Sequence, residues 1–388
     1  MNDIQMVDLS GQLAAMRGEI DAAIAEVLDS THFIKGKPVG LFEAELAAYL
    51  GGQHAIGVGN GTDALQLAMM ALDLQPGDEV ITSAFTFIAT AEAAALLGLV
   101  PVFADIDPET FNIDPARIEA LITPRTRAIV PVHLFGQPAD MDPILALARR
   151  HGLRVIEDNA QSIGARYRDR QVGYLGDLGT LSFFPSKNLG AYGDGGAVLT
   201  DDAGLFERVQ MIANHGSRRK YYNEVVGINS RLDTLQAAIL RVKLRHLDAF
   251  ARARQRAAAR YDALFADCPA IVTPSVAPDR THVYHQYTIR IRPDGYRTRD
   301  TLAQHLKSAG IPHAIYYPTS LHELPVFREA GRARWEDLSH TEQAAGEVIS
   351  LPMHTELTEA QQAYIAQHVL AFLHDAPIPN KQTVSVTP

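Results

Sequence analysis

Short apolar runs alternate with amphipathic segments along much of the chain. Apolar runs at residues 55–59, 79–82, 101–104, 127–132, 154–157, 180–184 and 197–200 predict strands. Apolar positions at helical spacing between these runs predict helices at residues 63–72, 90–97, 114–121, 142–151 and 203–213. Strands that are apolar on both faces are typical of a sheet covered on both sides. The alternation therefore predicts an α/β fold with a mostly parallel central sheet.

Helical spacing continues on both sides of this region. Residues 14–50 are predicted to be helical with a turn at 35–38, and residues 231–266 form a long predicted helix that links two domains. A strand at 286–292 and helices at 301–308 and 359–373 then indicate a smaller C-terminal α/β domain. We predict a large domain over residues 1–245, a small domain over 246–375 and a flexible tail over 376–388.

Composition narrows the class of protein. The formal net charge of −10 argues against nucleic-acid binding, which relies on a basic surface, although a small anionic ligand remains possible. The single cysteine, Cys268, allows no intrachain disulfide. Residues 1–10 lack the pattern of a signal peptide, and no apolar stretch is long enough to span a membrane. We therefore expect a cytoplasmic protein without membrane attachment.

A glycine-rich turn, Gly-Val-Gly-Asn-Gly-Thr-Asp-Ala at residues 57–64, follows the first predicted strand and opens a helix. Its spacing differs from that of a dinucleotide fingerprint or a Walker A loop. Glycines let an anion approach the backbone, and a helix N-terminus offers free N–H groups, so Gly61, Thr62 and Asp63 could hold a phosphate. The same letters also fit a tight turn with Thr62 as the N-cap of the helix.

Two further features carry candidate chemistry. Asp158 stands at the carboxyl end of a predicted strand, the edge of an α/β sheet where ligands bind. A carboxylate there could pair with a cationic ring nitrogen or could cap a helix. Lys187 follows another predicted strand in a Ser-, Pro-, Asn- and Gly-rich loop. A partly buried lysine can act as an amine nucleophile, whereas most loop lysines are simply solvated.

The order of these features, phosphate-type turn, strand-end aspartate and loop lysine, is that of fold-type I pyridoxal 5′-phosphate (PLP) enzymes. The sequence resembles the DegT/DnrJ/StrS family of sugar aminotransferases over about residues 5–372. The matching segments are Asn-Gly-Thr-Asp-Ala-Leu at 60–65, Pro-Gly-Asp-Glu-Val-Ile at 76–81, Ile-Glu-Asp-Asn-Ala-Gln at 156–161, Ser-Phe-Phe-Pro-Ser-Lys-Asn-Leu-Gly at 182–190, Gly-Asp-Gly-Gly at 193–196 and Asn-Ser-Arg-Leu-Asp at 229–233.

The resemblance implies that Lys187 forms the Schiff base with PLP and that Asp158 pairs with the pyridine nitrogen. It further implies cofactor contacts from Gln161 to the phenolic oxygen, from Ser182, Gly61, Thr62 and Asp63 to the phosphate, and from the ring of Phe87. Phe87 could equally be an ordinary core residue. Asn229 matches an asparagine that reaches the phosphate of the other subunit, so we expect a homodimer with a shared active site.

For the substrates, the resemblance implies L-glutamate as the amino donor and a nucleotide-linked keto sugar as the acceptor. Arg231, Tyr317, Pro318 and His322 are the candidate sugar contacts, although Arg231 also fits a surface residue. The branch most similar in sequence acts on UDP-linked 3-keto-N-acetylglucosaminuronate, whose carboxylate Arg231 could meet. A dTDP-linked keto-6-deoxyhexose is the alternative acceptor. A PLP-dependent sugar dehydratase, which carries histidine in place of the lysine, and a non-catalytic sensor are alternatives of other classes. We predict no metal site and interpret His282 and His285 as structural.

Overall fold

The computed structural model describes residues 4–329 and 331–374. Its helices are α1 Leu9–Ser30, α2 Lys37–Leu50, α3 Gly61–Ala71, α4 Ala89–Leu96, α5 Met141–His151, α6 Ala203–Ile212, α7 Thr234–Leu244, α8 Leu247–Phe265, α9 Arg299–Ser308, α10 Pro325–Arg328, α11 Ser339–Glu347 and α12 Glu359–His374. Its strands are β1 His54–Val58, β2 Glu79–Ser83, β3 Val100–Ala104, β4 Thr126–Val130, β5 Arg154–Asp158, β6 Arg166–Tyr167, β7 Arg170–Gln171, β8 Leu178–Ser182, β9 Gly196–Thr200, β10 Ser217–Arg219, β11 Tyr222–Asn223, β12 Ile271–Val272, β13 Tyr287–Ile291, β14 Arg334–Trp335 and β15 Val348–Leu351.

Eight strands form the central sheet in the order β1-β9-β8-β5-β4-β2-β3-β14. All neighbouring pairs are parallel except the two that involve β9, which runs antiparallel to both β1 and β8. The predicted α/β class with a mostly parallel sheet is therefore confirmed. Because most strands are parallel, their carboxyl ends meet at one edge, where the loops carry the candidate site residues.

Both faces of this sheet are buried, which explains the continuous apolar strands. Ile156 and Val80 pack on one face with α3, α4 and α6. Ile81, Ile129 and Val155 pack on the opposite face with α5. Neighbouring apolar residues of one strand thus pack in two different cores, because successive side chains of a strand point to opposite faces of the sheet.

A second, three-stranded antiparallel sheet in the order β12-β13-β15 lies in the C-terminal part of the chain. Helices α8, α9 and α12 pack on it around the fully buried Tyr261 and Tyr287. This is the smaller α/β unit that the sequence predicts, and the boundary at residues 245–246 stays a prediction. The predicted tail at 376–388 lies outside the described residues.

Two predictions of local structure are wrong, and one strand of the central sheet was not predicted. The single helix expected over 231–266 is two helices, because α7 packs on α1 and α2 whereas α8 packs on α12. The helix expected over 114–121 consists of two 3-10 turns, Pro115–Arg117 and Glu119–Leu121. Strand β14, which adds a parallel edge next to β3, was not predicted because it has only two residues.

Candidate active site

The candidate residues meet at the carboxyl edge of the central sheet. Strand β5 ends at Asp158 and strand β8 ends at Ser182, and the loop after β8 carries Lys187. These three residues line one cavity of about 480 Å³ together with Gln161 and Gly61. The strand-and-loop order of the sequence therefore brings the predicted cofactor residues to a single place.

Lys187 is half-buried in the wall of this cavity. Burial lowers the pKa of its amine to about 8, and the negative charge of Asp158 opposes that shift. The loop is held on both sides, because the Lys187 N–H donates to Phe184 O at 2.8 Å and the Asn188 side chain donates to Val283 O at 3.1 Å. At neutral pH a useful fraction of the amine is thus uncharged, as nucleophilic attack on a carbonyl requires.

Asp158 is buried and has two protein donors. The hydroxyl of Thr90 donates to Oδ2 at 2.7 Å, and the N–H of Ala160 donates to Oδ1 at 3.1 Å. Thr90 is also buried and lines the cavity, but nothing in the sequence pointed to it. Its bond fixes the orientation of the carboxylate and leaves lone pairs for a cationic group in the cavity.

The side chain of Gln161 is held between a backbone N–H group and a tyrosine hydroxyl of the same cavity. The Phe135 N–H donates to Gln161 Oε1 at 2.8 Å, and Gln161 Nε2 donates to the Tyr317 hydroxyl at 3.2 Å. Tyr317 lines the same cavity, and burial raises the pKa of its phenol. The structure thus brings Tyr317, predicted as a sugar contact, beside a predicted cofactor contact.

The glycine-rich turn closes tightly over the end of β8. A Cβ atom on Gly61 would lie 2.7 Å from Ser182 Cβ, so only glycine fits between the turn and the strand. Gly61 and Thr62 line the cavity and carry the first two N–H groups of α3, which cannot bond within the helix. The close approach of a helix N-terminus and a serine hydroxyl suits an anionic group.

Two details of the predicted turn need correction. The N-cap of α3 is Asn60 rather than Thr62, because Asn60 Oδ1 accepts from the Asp63 N–H at 2.8 Å. That N–H is therefore already used, and Asp63 does not line the cavity. Its carboxylate instead accepts from the Ser230 hydroxyl at 2.6 Å. Asp63 thus anchors the turn and does not contribute an N–H group to an anion.

Phe87 projects over the cavity rather than into a core. Its side chain is 55% exposed, and its ring centroid lies 6.4 Å from that of Tyr317. The alternative of an ordinary core phenylalanine is therefore wrong. An exposed ring at the mouth of a cavity provides a flat face on which a planar ligand can stack.

Asn229 and Arg231 lie away from the Lys187 cavity of their own chain. Arg231 lines a second cleft of about 600 Å³, together with Lys35 and Arg218. Asn229 is exposed. Between them, Ser230 is buried and its hydroxyl accepts from the Gly59 N–H at 2.9 Å. The segment is thus fixed to the back of the glycine-rich turn, with its two candidate side chains outside the cavity.

The structure does not bring two further candidates to the cavity. Pro318 is exposed beside Tyr317 and does not line it. His322 is 7% exposed, its Nε2 lies 3.2 Å from Glu342 Oε1, and its ring centroid lies 5.4 Å from that of Trp335. Within one chain His322 therefore lies outside this cavity, and its contact with the sugar stays a prediction.

The profile of the DegT/DnrJ/EryC1/StrS aminotransferase family matches residues 14–370. The chain belongs to this family. Family members are PLP-dependent, and the convergence of Lys187, Asp158 and Gly61 on one cavity fits that cofactor. The protein is therefore a PLP-dependent aminotransferase.

Three relatives in the family are similar over almost their whole length. The chain is 50% identical to a pleiotropic regulatory protein of Geobacillus stearothermophilus, covering 95% of this chain and 98% of the relative. It is 47% identical to the UDP-N-acetyl-3-dehydro-alpha-D-glucosamine 3-aminotransferase of Acidithiobacillus ferrooxidans (96% and 98%). It is 46% identical to the UDP-2-acetamido-2-deoxy-3-oxo-D-glucuronate aminotransferase of Pseudomonas aeruginosa (92% and 97%). Other relatives are transaminases of dTDP-linked amino sugars. The family member described here is thus an aminotransferase of nucleotide-linked keto sugars.

Solved structures agree with this assignment. The fold superposes on DesV of S. venezuelae, in complex with a ketimine intermediate, with a TM-score of 0.92 at 44% identity, covering 97% of this chain and all of that one. NtdA of Bacillus subtilis, with bound cofactor PMP, gives a TM-score of 0.85 at 33% identity, covering 95% and 83%. Within the described residues, no helix has both the length and the apolar character needed to cross a membrane.

Proposed function

We propose that Lys187 carries PLP as a Schiff base and that the aminotransferase uses L-glutamate to aminate UDP-linked 3-keto-N-acetylglucosaminuronate. The observation that supports the first part is the convergence of Lys187, Asp158 and Gln161 on one cavity at the carboxyl edge of the sheet. Transamination needs two groups, and both are present. One is a lysine amine with a pKa near 8, and the other is a buried carboxylate that accepts two hydrogen bonds.

The cofactor, once bound, supplies an electron-accepting ring that stabilises negative charge at the carbon being deprotonated. Asp158 is suited to hold the ring nitrogen in its protonated form, because its carboxylate is oriented by Thr90 and faces the cavity. Gln161 is suited to bond the phenolic oxygen, and the ring of Phe87 to stack on the cofactor. Ser182, Gly61 and Thr62 form the cradle for its phosphate.

Lys187 has a second task in this proposal. Once the donor amine has displaced it, the freed Lys187 Nζ would take the proton from the α-carbon of the donor and deliver it to the cofactor carbon that the lysine had held. The lowered pKa of this amine favours the uncharged form that accepts the proton. The same residue then acts in the reverse sense when the keto sugar is aminated.

We further propose a homodimer in which Asn229 and Arg231 complete the active site of the partner. The support is geometric. Both residues lie outside the cavity of their own chain, yet Ser230 fixes the segment that carries them by its bonds to Gly59 and Asp63. A rigid segment that presents Asn229 and Arg231 outside the cavity of its own chain is suited to contact the cavity of a neighbouring subunit.

The choice of sugar rests on Arg231. A guanidinium matches a carboxylate in charge and geometry. The same cleft also contains Lys35 and Arg218 and the acidic Glu43 and Glu207, and Arg218 lies 3.9 Å from Glu207, so Arg231 itself carries the argument for a carboxylate. The Arg231 guanidinium favours a uronate over two alternative acceptors whose sugar rings carry no carboxylate. One is the UDP-linked 3-keto sugar without a carboxylate, the substrate type in the name of the Acidithiobacillus relative. The other is a dTDP-linked keto-6-deoxyhexose, supported by relatives that act on dTDP-linked sugars.

The function can be tested by spectroscopy on the purified holoenzyme. Glutamate should bleach the absorbance of lysine-bound PLP, and the correct keto sugar should restore it in the glutamate-treated protein. Lys187→Ala should bind PLP without forming that absorbance band and should lose activity by about 10³-fold or more. Lys307→Ala, a change on the outer surface of α9, is the matched control and should behave as wild type. A Lys187→Ala protein that keeps the band would overturn the assignment.

The two other classes are separated by the same assay. A dehydratase would consume the sugar without glutamate-dependent amination, and Lys187 already stands against it. A sensor would bind PLP yet fail to turn over any keto sugar. The name of the Geobacillus relative, a pleiotropic regulatory protein, is the reason to test this alternative. The restored band, followed by detection of an amino sugar, distinguishes transamination from both.

A further inference from the structure

Residues 282–286 form a segment, here called the histidine segment, that closes one wall of the Lys187 cavity. It is tied to the lysine loop, because Asn188 donates to Val283 O at 3.1 Å. It is tied to the C-terminal unit by Arg254, whose Nη1 donates to Tyr284 O at 3.1 Å. It also contacts Gly136, since Val283 N–H donates to Gly136 O at 2.9 Å and a Cβ there would lie 2.8 Å from Tyr284 N. Its backbone is therefore fixed from three sides.

The two histidines of this segment have different surroundings. His282 accepts from the Tyr284 N–H through Nδ1 at 2.9 Å and stacks on the Tyr284 ring at 4.0 Å, which accounts for its presence structurally. His285 is only 6% exposed and lines the cavity together with Lys187. Its Nδ1 atom is enclosed and has no hydrogen-bond partner in the described part of the chain. Buried polar atoms of this kind usually have a partner, so His285 requires another explanation.

Charges around His285 keep its imidazole neutral. Burial, together with the positive charges of Lys187 and Arg254, holds the pKa of His285 well below its usual value. Lys243 is buried on α7, and burial together with the charge of Arg254 lowers its pKa to about 8. Asp262 places negative charge near Tyr284 of the segment. The acidic groups that line the cavity are Asp158, Asp194, Tyr316 and Tyr317. A neutral imidazole carries one proton, on one of its two nitrogens.

The proton is better placed on Nε2 than on Nδ1. An N–H group at Nδ1 would be enclosed without an acceptor, which costs free energy, whereas a proton on Nε2 leaves only a lone pair there. With Nδ1 enclosed, the Nε2 edge is the part of the ring available to the cavity that His285 lines. The residue then offers a neutral hydrogen-bond donor beside the lysine amine.

We propose that His285 is a positioning residue for Lys187, donating a hydrogen bond from Nε2 to the uncharged Nζ atom. The proposal rests on the assignment of Lys187 as the PLP-binding lysine. An uncharged amine offers a lone pair to this donor, whereas an ammonium group offers none, so the bond favours the reactive form of the lysine. It also holds the amine in the cavity whenever the amine is not bound to the cofactor.

The test follows PLP uptake by the apoenzyme as a function of pH, measured as the rise of the absorbance of lysine-bound PLP. The rate increases as the lysine amine loses its proton, so its midpoint reports the pKa of Lys187. His285→Phe keeps the shape of a flat ring and removes both nitrogens. It should raise the midpoint by about 0.5 to 1 pH unit, the value of one hydrogen bond. His285→Gln retains a donor and should return the midpoint to near that of wild type.

His305→Phe is the matched control, because His305 Nε2 is also enclosed without a partner among the described residues but lies on α9, outside the cavity. It should leave the midpoint unchanged. A folded His285→Phe protein with the wild-type midpoint overturns the proposal. If His285→Phe does not fold, His285→Met replaces it, and failure of both to fold assigns a packing role and equally overturns it. Failure of the underlying function is distinct, because Lys187→Ala would then still develop the absorbance band.

Discussion

The Lys187 cavity and the Arg231 cleft differ in how complete they are within one chain. In the cavity, Lys187, Asp158 and Gln161 converge, and the aspartate and the glutamine are held by hydrogen bonds from the same chain. In the cleft, Arg231 and its neighbours Lys35 and Arg218 line an open surface. The first region contains groups for bond making and breaking, whereas the second contains three basic side chains together with the acidic Glu43 and Glu207. The protein thus separates the chemistry from the proposed selection of substrate.

This difference has a physical basis. Cofactor chemistry needs a lysine with a lowered pKa and an oriented carboxylate, and both require burial in a rigid core. Sugar selection requires charge at the place where the substrate enters, and a second chain can supply it. Changes in the cavity should therefore affect every substrate equally, whereas changes in the cleft should depend on which sugar is offered.

Among variants that keep Lys187, the largest effect is expected for Asp158→Asn. The amide keeps the shape of the side chain but removes the charge that holds the ring nitrogen protonated, so kcat should fall about 10²-fold for every keto sugar. Steady-state assays with two different sugars check this. If the size of the loss depends on the sugar, the cavity also selects the substrate, and the proposed division of roles between cavity and cleft is wrong.

A smaller and selective effect is expected for Arg231→Ala. Loss of a charge-assisted hydrogen bond should lower kcat/KM for the 3-keto uronate by roughly 10- to 100-fold. The matched sugar without a carboxylate should be converted at nearly the wild-type rate, and Arg231→Lys should lie between the two. Equal losses on both sugars would argue that Arg231 contacts the diphosphate and not a uronate.

The pH dependence of PLP uptake should be set by the Lys187 amine in the cavity and not by residues of the Arg231 cleft. Because the amine must be uncharged, uptake should accelerate by about tenfold between pH 7 and pH 9 and then level off. The sign follows from a lysine pKa lowered to about 8 by burial. The Arg231→Ala variant should give the same profile as wild type. A rate that is already constant at pH 7, or a profile that changes in Arg231→Ala, would contradict the separation.

The smallest effect is expected for Thr90→Val. The Thr90 hydroxyl orients Asp158 but carries no charge itself, and the Ala160 N–H still holds the carboxylate, so kcat should fall by only about fivefold. Thr82→Val removes a buried hydroxyl bond to Val130 O at 2.9 Å, outside the cavity, and serves as the control. If both variants lose stability but only Thr90→Val loses kcat, the orienting role is supported.

The sequence predicted the fold class and much of the cavity, because strand ends and loop motifs carry local signals. Asp158 and Lys187 could be found since each follows an apolar strand in a distinctive context. Thr90 and His285 could not be found from the residues alone. Thr90 bonds to Asp158, which lies 68 positions further along the chain. His285 belongs to a segment distant in sequence that forms one wall of the cavity.

The errors have the same origin. Thr62 and Asn60 are both good N-caps, and only the three-dimensional turn shows that Asn60 accepts the Asp63 N–H. His322 was expected at the sugar site because it matches a family segment, and within one chain its ring packs near Trp335 of the two-residue strand β14. A strand so short has no hydrophobic period to detect, so its neighbours could not be predicted.

The central claim is that one chain supplies Lys187 and Asp158 and its partner supplies Asn229 and Arg231 to the same active site. Mixing two inactive variants tests it most directly. Lys187→Ala and the double variant Asn229→Ala, Arg231→Ala should each be strongly impaired alone. After subunit exchange, heterodimers should contain one intact site, and activity on the keto uronate should return to about a quarter of wild type. If the mixture stays as inactive as its components although heterodimers form, both sets of residues act within a single chain and the account is wrong.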